Sequence, residues 1–585
     1  MRAQFRIRIR LVLAFVVFIA FLILARLYFI QIVQGQDYAQ KADQQFASNG
    51  SGLFDRGSIY FTRKDGTLIS AATLASGYLV AINPQTLADP EAAYAAITSV
   101  ASSSLSLTHA AFLAAAAKKT QVYIEVAHHL SDAQGTALAA MGVPGVQVLR
   151  ERWRYYPGNT LAAQTIGIVS YGSGATLTGQ TGLEATYDST LSRSGDVLYK
   201  NFFAELFSNV GRLLVNTQDA HQGDIVTTIE PEVEMRLAAD LAKVNTKYSS
   251  IGSGGIIMDT KTGAILALAS YPTFNENDLQ NINPQILSNP LVEHVFEYGS
   301  IMKPITMASA LTAGVVTPQT TYNDTGCIHV DGNRICNWNY RSHGAYGIIP
   351  MQTIIEQSLN VGASWVAEQL GQQKFRDYFT KIFGQKTGID LPHETDALIG
   401  NLYKPQQIYY DTAAFGEGIA VTPVQMIRAL GAIANHGVMV TPHLVSAIRL
   451  NSGVVQKLDW GPGTRVFSAA AARETTVMMD ALWDKALIVD GVSARIPTMS
   501  VAAKTGTAQL PTPTGGYYND KFFNSEVAFF PSFDPRFIIL LYTDDPKHVI
   551  YAEQSLSTSL LDLVHFLINY YNVPPDRGFA TTTSP

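Results

Sequence analysis

The sequence predicts an α+β protein in three parts. These are an N-terminal transmembrane helix, an elongated α+β pedestal, and a larger domain with an antiparallel sheet flanked by helices plus an all-helical subdomain. Three observations carry the prediction. Leu11 to Ala25 is apolar without interruption, and the apolar character resumes after Arg26 through Val33, which is about long enough to cross a bilayer. Strand-like runs occur in GGIIMDTKTGAILALAS from Gly254, and again in SEVAFFPS from Ser525 and RFIILLYTDD from Arg536. Between them lie apolar helical stretches, including ITMASALTAGVV, IPMQTIIEQ and VGASWVAEQLG.

Taken in order, Arg2, Arg6, Arg8 and Arg10 precede the apolar run. They assign residues 1–10 to the cytoplasm and residues 11–33 to the membrane. A cleaved signal peptide is the rival, but its apolar region would be at the long limit and no small-x-small site follows at once. Residues 36–222 carry no catalytic constellation and read as a non-catalytic pedestal. Within them Thr108 is placed to cap AAFLAAAAKK, and Ser131 to Gln134 has the spacing of a capping box. His128-His129 reads as the end of a surface element rather than a ligand pair. A boundary falls near Gly223, where DIVTTIEPEVEMRLAADLAKVN gives a strand and then a helix started by Pro231. That domain runs over 223–572. The polar, proline-containing tail 573–585 is expected to be disordered. The chain has 585 residues and a formal net charge of −6, a mild acidity that implies no nucleic-acid partner.

Three polar clusters carry the chemistry. Ser300 and Lys303 are three residues apart, so a helix brings their side chains together one turn apart. No other lysine has a serine three residues before it. A serine hydroxyl needs an adjacent base. A lysine is a base only if its charged form is disfavoured, by burial or by a second cation such as Lys504. Ser358-Leu359-Asn360 lies between two helical stretches and can present a hydroxyl and a carboxamide to a cleft. Lys504-Thr505-Gly506-Thr507 is the third cluster. Lys-Thr-Gly occurs three times, but Lys261 reads as a hairpin turn and Lys386 as a loop. Lys504 lies before two strands, where its ammonium and the hydroxyls of Thr505 and Thr507 could hold a carboxylate. Gly506 would let the backbone approach a substrate closely.

At these residues the chain resembles the class B penicillin-binding proteins, the monofunctional peptidoglycan D,D-transpeptidases of septal or elongation type. GGIIMDTKTGAILALASYPTFNEND, EYGSIMKPITMASAL and AFGEGIAVTPVQMIRALGAIANHGVMVTPHLV carry the resemblance in the C-terminal half. RYYPGNTLAAQTIGIVS, GQTGLEATYDSTL and FDRGSIYFTRKDGTLIS carry it in the N-terminal half. The departures are Tyr298 where proline is common, Ile301 for threonine, Leu359 for a small residue, and an extra residue after Arg56-Gly57 with Tyr60-Phe61 where an aspartate is common.

The resemblance implies a serine β-lactamase-like transpeptidase fold and a dimerisation-like pedestal. It implies that Ser300 attacks the carbonyl between two terminal D-alanines and that Lys303 takes its proton. Backbone N–H groups of Ser300 and Thr507 would form the oxyanion hole. Ser358, with Lys303 and Lys504, would pass a proton to the departing D-alanine, and Asn360 would hold the donor amide. Implied partners are peptidoglycan stem peptides on a lipid-linked precursor, β-lactams, a SEDS-type glycosyltransferase and other cell-wall or division proteins. No metal or organic cofactor is implied. The expected location is the bacterial cytoplasmic membrane, single-pass, with the catalytic domain outside. A β-lactamase or D,D-carboxypeptidase would instead deliver the acyl group to water. A β-lactam sensor or catalytically silent divisome scaffold is the third reading.

Cys327 and Cys336 bracket IHVDGNRI. If Asp331-Gly332 forms the turn, Cys327 falls opposite Cys336 with Cα atoms about 4.5 Å apart. That permits a disulfide, which persists outside the cytoplasm. Two free buried thiols are the rival reading, and no histidine set accompanies them to make a metal site.

Overall fold

The computed structural model describes residues 54–101, 106–171, 177–193, 222–280, 282–485, 487–489 and 491–577. The predicted membrane segment and the arginines before it lie outside these residues. Among the described residues no helix is long and apolar enough to cross a membrane. The described chain divides into two compact units, one centred on Leu74–Arg154 and the other combining Gly57–Thr73, Tyr155–Ser192 and Thr217–Pro585.

In the first unit, the later residues of strand Leu68–Ile82 pair with Ile124–Leu130 and Val146–Tyr155. Val80, Ile82, Ile97, Phe112, Val126 and Leu138 form its core. Thr108 caps His109–Ala116, and Ser131 with Gln134 makes the predicted capping box. His128 and His129 lie in the last three residues of Ile124–Leu130. There His128 meets Glu151 and His129 stacks on Trp153.

The second unit is built on a five-stranded sheet between two helical layers. In chain order its main elements begin with α1 (Pro231–Tyr248), β1 (Gly252–Asp259) and β2 (Ile265–Tyr271). α2 (Lys303–Thr312), α3 (Met351–Glu356), α4 (Asn360–Leu370), α5 (Pro423–Ala434) and α6 (Ala469–Lys485) follow. β3 (Ala502–Pro511), β4 (Tyr517–Phe530), β5 (Phe537–Asp544) and α7 (Ser557–Tyr571) complete it. The sheet order is β3-β4-β5-β1-β2, with every pair antiparallel.

Pro231 opens α1, and the Glu230 carboxylate accepts the Val233 N–H at 2.8 Å, which caps the first turn. Val233, Leu237, Leu241 and Val244 then fall on one face and are buried. They join α7 residues Leu560, Leu563 and Leu567 against Ile257, Ile539 and Leu541 of the sheet. On the other sheet face Ile256, Met258, Ile538 and Leu540 join Ile305 of α2, Ile427 of α5 and Met479 of α6. Both faces are covered, so the strands read as unbroken apolar runs rather than alternating ones. Each fully buried Leu or Ile contributes roughly 1.5–3 kcal/mol of transfer free energy.

Asp331 and Gly332 both have positive φ, as a type I′ turn requires. They pair strand Cys327–Val330 with Asn333–Cys336, and Cys327 and Cys336 form a disulfide with Cα atoms 4.1 Å apart. The predicted tail needs correction at its start. Val573 is buried, and Arg577 bonds Asp480 and Asp484 on α6. An apolar contact and a charge-assisted anchor tie these first five residues to the folded unit.

Candidate active site

Ser300 does not open an α-helix, as its spacing to Lys303 suggested. It lies in a 3₁₀ turn, Gly299–Met302, which runs into α2. Pro304 has no N–H to give the Ser300 carbonyl, so the Lys303 N–H closes a shorter turn onto it. The spacing still works, because residues three apart share one side of a 3₁₀ turn. Lys303 Nζ lies 2.8 Å from Ser300 Oγ.

Lys303 is 1% exposed. Its Nζ also contacts the Ser358 carbonyl at 2.5 Å, Ser358 Oγ at 3.3 Å and Asn360 Oδ1 at 2.8 Å. Burial, and then the nearby Lys504 charge, hold the Lys303 pKa well below the usual lysine range. Lys504 is fully buried, and burial pushes its pKa down to about 7. Its Nζ meets Ser358 Oγ at 2.8 Å. One hydroxyl therefore stands between two lysines, each with a depressed pKa. Glu526, clasped by Ser557 Oγ and pushed up to about 8 by burial, acts electrostatically on Lys504 from the neighbouring strand.

Ser358 occupies a left-handed conformation, φ 55°. It follows α3 as the C′ residue of a Schellman motif. The Leu359 N–H bonds the Ile354 carbonyl at 3.0 Å and the Ser358 N–H bonds the Ile355 carbonyl at 3.3 Å. Glycine is preferred at such a position. Asn360 begins α4, and its Nδ2 donates to the Cys336 carbonyl at 3.2 Å. The disulfide-closed hairpin therefore touches a site residue.

β3 carries the third cluster along the edge of the sheet. Ser300, Ser358, Asn360, Lys504, Thr505 and Thr507 line one cleft of about 730 Å³, which Trp338, Glu417 and Tyr551 also line. Thr507 Oγ1 accepts the Ala552 N–H at 3.1 Å, which leaves its own proton free for a ligand. Gly506 has a different role from the one its sequence suggested. A Cβ there would lie 2.5 Å from both Ser525 Oγ and the Tyr298 carbonyl. Its small size lets β3 dock against the turn that carries Ser300, while Thr505 and Thr507 face the cleft on either side of it. Tyr298, Ile301 and Leu359, the departures near the site, are all buried core side chains.

The other two Lys-Thr-Gly copies lie elsewhere. Lys261 sits in the β1–β2 turn, paired with Asp534 at 2.7 Å on the surface. Lys386-Thr387-Gly388 is a loop after helix Gln372–Phe383, held where the Thr387 N–H donates to Glu394.

Sequence reasoning missed Glu417, Trp338 and Tyr551 as cleft residues. Trp338 and Tyr551 are lone aromatics, 5.4 Å apart and edge-to-face, and no spacing links them. Glu417 had a visible signal, a single carboxylate between two glycines in an apolar stretch. Burial, then Glu297, push its pKa up to about 7.

The family described as penicillin binding protein transpeptidase domain matches residues 254–564, and penicillin-binding protein dimerisation domain matches residues 55–197. The chain is 26% identical to stage V sporulation protein D of Bacillus subtilis, over 93% of this chain and 82% of that protein. It is 25% identical to peptidoglycan D,D-transpeptidase FtsI of Escherichia coli, over 78% of this chain and 73% of that one. In fold it is similar to penicillin binding protein 2X from Streptococcus thermophilus, with a TM-score of 0.71 and 22% identity, covering 88% of this chain and 80% of that chain. It is also similar to penicillin binding protein 3 from Mycobacterium tuberculosis complexed with aztreonam, with a TM-score of 0.66 and 21% identity, covering 90% and 98% respectively.

Proposed function

This chain belongs to the penicillin-binding protein transpeptidase family, and from that premise we propose that it is a class B enzyme, a peptidoglycan D,D-transpeptidase working through an acyl-enzyme on Ser300. The observation that carries the assignment of roles is the 2.8 Å contact between Ser300 Oγ and a fully buried Lys303. A neutral Lys303 takes the Ser300 proton as Oγ attacks the carbonyl carbon between two terminal D-alanines. The oxyanion forms against the backbone N–H groups of Ser300 and Thr507. The C–N bond then breaks, and a proton passes through Ser358 Oγ to the departing D-alanine amine. The contacts of Ser358 Oγ with both lysines support this relay. Asn360 orients the donor amide. Lys504, Thr505 and Thr507 hold the terminal carboxylate. The amine of a second stem peptide attacks the acyl carbon, loses its proton to the same relay, and returns Ser300 to its starting form.

β-Lactams acylate Ser300 by the same route. We assign the catalytic domain to residues 223–572 and a non-catalytic pedestal to residues 36–222, although Gly57–Thr73 and Tyr155–Ser192 of that stretch belong to the same compact unit as the catalytic residues. The arginines before residues 11–33 support an N-terminus in the cytoplasm and a catalytic domain outside the bacterial membrane. A reporter fused after Pro585 should be active only outside; activity confined to the cytoplasm would refute this. The glycan strands come from a membrane glycosyltransferase of the SEDS type, which co-purification from detergent would test.

The product decides between this reading and hydrolysis. Purified enzyme given a stem-peptide donor and an amine acceptor should form the peptide cross-link with release of D-alanine. Release of D-alanine with only the hydrolysed peptide would make it a carboxypeptidase.

A further inference from the structure

Glu417 lines the same cleft as Ser300, and none of the steps above uses it. Its position relative to the nucleophile is set by backbone. The Gly299 N–H donates to the Gly416 carbonyl at 3.1 Å. Gly416 has φ +86°, and a Cβ on it would lie 2.2 Å from the Gly299 carbonyl. The loop bearing Glu417 is therefore seated directly on the 3₁₀ turn that presents Ser300.

The groups around Glu417 are already occupied. Glu297 Oε2 accepts the Tyr517 hydroxyl at 2.8 Å, and its carboxylate also takes the Gly418 N–H. A neutral amine has two N–H donors and one lone pair, and Lys303 Nζ has Ser300 Oγ, the Ser358 carbonyl and Asn360 Oδ1 all within 2.8 Å, so it acts on Glu417 through its charge, when protonated, and not through a hydrogen bond. Among the described residues, no donor reaches the Glu417 side chain. Of the other carboxylates lining the cleft, Glu356 accepts from Gln352 and faces Lys485, while Glu553 is exposed at the rim. Glu417 is thus a half-buried carboxylate beside the nucleophile with no hydrogen-bond donor from the described residues on its side chain. A cationic group on a ligand would supply the charge-assisted donors that the protein does not give it. Burial and Glu297 raise its pKa, and the Lys303 charge only partly offsets them.

We propose that Glu417 is a specificity-determining residue that recognises a primary ammonium group on a ligand bound at Ser300. The cleft is then bipolar. Lys504, Thr505 and Thr507 hold an anion, and Glu417 selects substrates that also carry a free amine. The inference rests on the transpeptidase reading above. The ammonium could belong to the acyl donor's side chain or to the acceptor.

Two arms separate these sources. The first compares acylation by benzylpenicillin and ampicillin, which differ by one amino group, in wild type and Glu417→Gln. The second measures KM for an amine acceptor against a thioester donor that lacks an amine. If the donor carries the ammonium, the ampicillin-to-benzylpenicillin rate ratio should fall about tenfold in the variant. If the acceptor does, its KM should rise about tenfold. Glu417→Asp, which keeps the charge, should retain the preference. An equal loss for both penicillins with unchanged KM would mean that Glu417 acts through Lys303, and overturns the proposal. No change in either arm overturns it as well. A wild-type enzyme that forms no benzylpenicillin adduct would overturn the transpeptidase reading itself; an adduct with unchanged ratio and KM overturns only this inference.

Discussion

Lys303 and Lys504 are both buried, and each lies within hydrogen-bond distance of Ser358 Oγ or its near limit. Their depressed pKa values divide the work by pH. Lys303 must lose its proton to act as base, so acylation should rise with pH through its lowered pKa. Lys504 must keep its proton to hold a carboxylate, and its pKa is about 7. The rate constant for acylation of free enzyme by a β-lactam carboxylate should therefore be bell-shaped, rising as Lys303 loses its proton and falling as Lys504 loses its own. A profile that still climbs at pH 9 would contradict the role given to the Lys504 charge. Lys303→Ala should slow acylation by about 10²- to 10⁴-fold. Lys261→Ala removes only an exposed ion pair worth roughly 0–1 kcal/mol, and Lys386→Ala alters a loop. Both should acylate as wild type does. Loss of acylation in folded Lys261→Ala, with Lys504→Ala unaffected, would move the site elsewhere.

The connection between α3 and α4 holds a residue of the proposed relay against its local backbone preference. Ser358 takes a left-handed φ of 55° where glycine would be unstrained. Strain of this kind costs on the order of 1–3 kcal/mol and persists where surroundings enforce it. Here the Schellman bonds fix the backbone and two lysines hold the hydroxyl. Ser358→Gly and Ser358→Ala both remove the hydroxyl, so both should acylate poorly. They should differ in stability, with the glycine variant more stable to denaturant by about 1 kcal/mol. Equal midpoints, or a more stable alanine variant, would show that the conformation carries no such strain.

At the scale of the molecule, the five-stranded sheet brings Lys504 to a helical layer whose residues are about 150–200 positions earlier. The strands, the helices flanking Ser358 and the Asp331-Gly332 turn were readable, because apolar runs and turn residues are local signals. The three polar clusters were readable because each is a short fixed spacing. The 3₁₀ turn at Ser300 follows from Pro304, which lacks the N–H an α-turn there needs and which the Ser300–Lys303 spacing does not take into account. Gly506 was misread because what it packs against, Tyr298 and Ser525, is set by tertiary contact. Glu417 needed the Gly299–Gly416 contact to become a neighbour of Ser300. The central claim is that Ser300 is the acylated nucleophile of this cleft. Intact mass of the protein after exposure to labelled penicillin, with peptide mapping of the adduct, tests it most directly. One equivalent should attach to Ser300 and vanish in a folded Ser300→Ala variant; an adduct on another residue, or one that survives that substitution, would contradict the account.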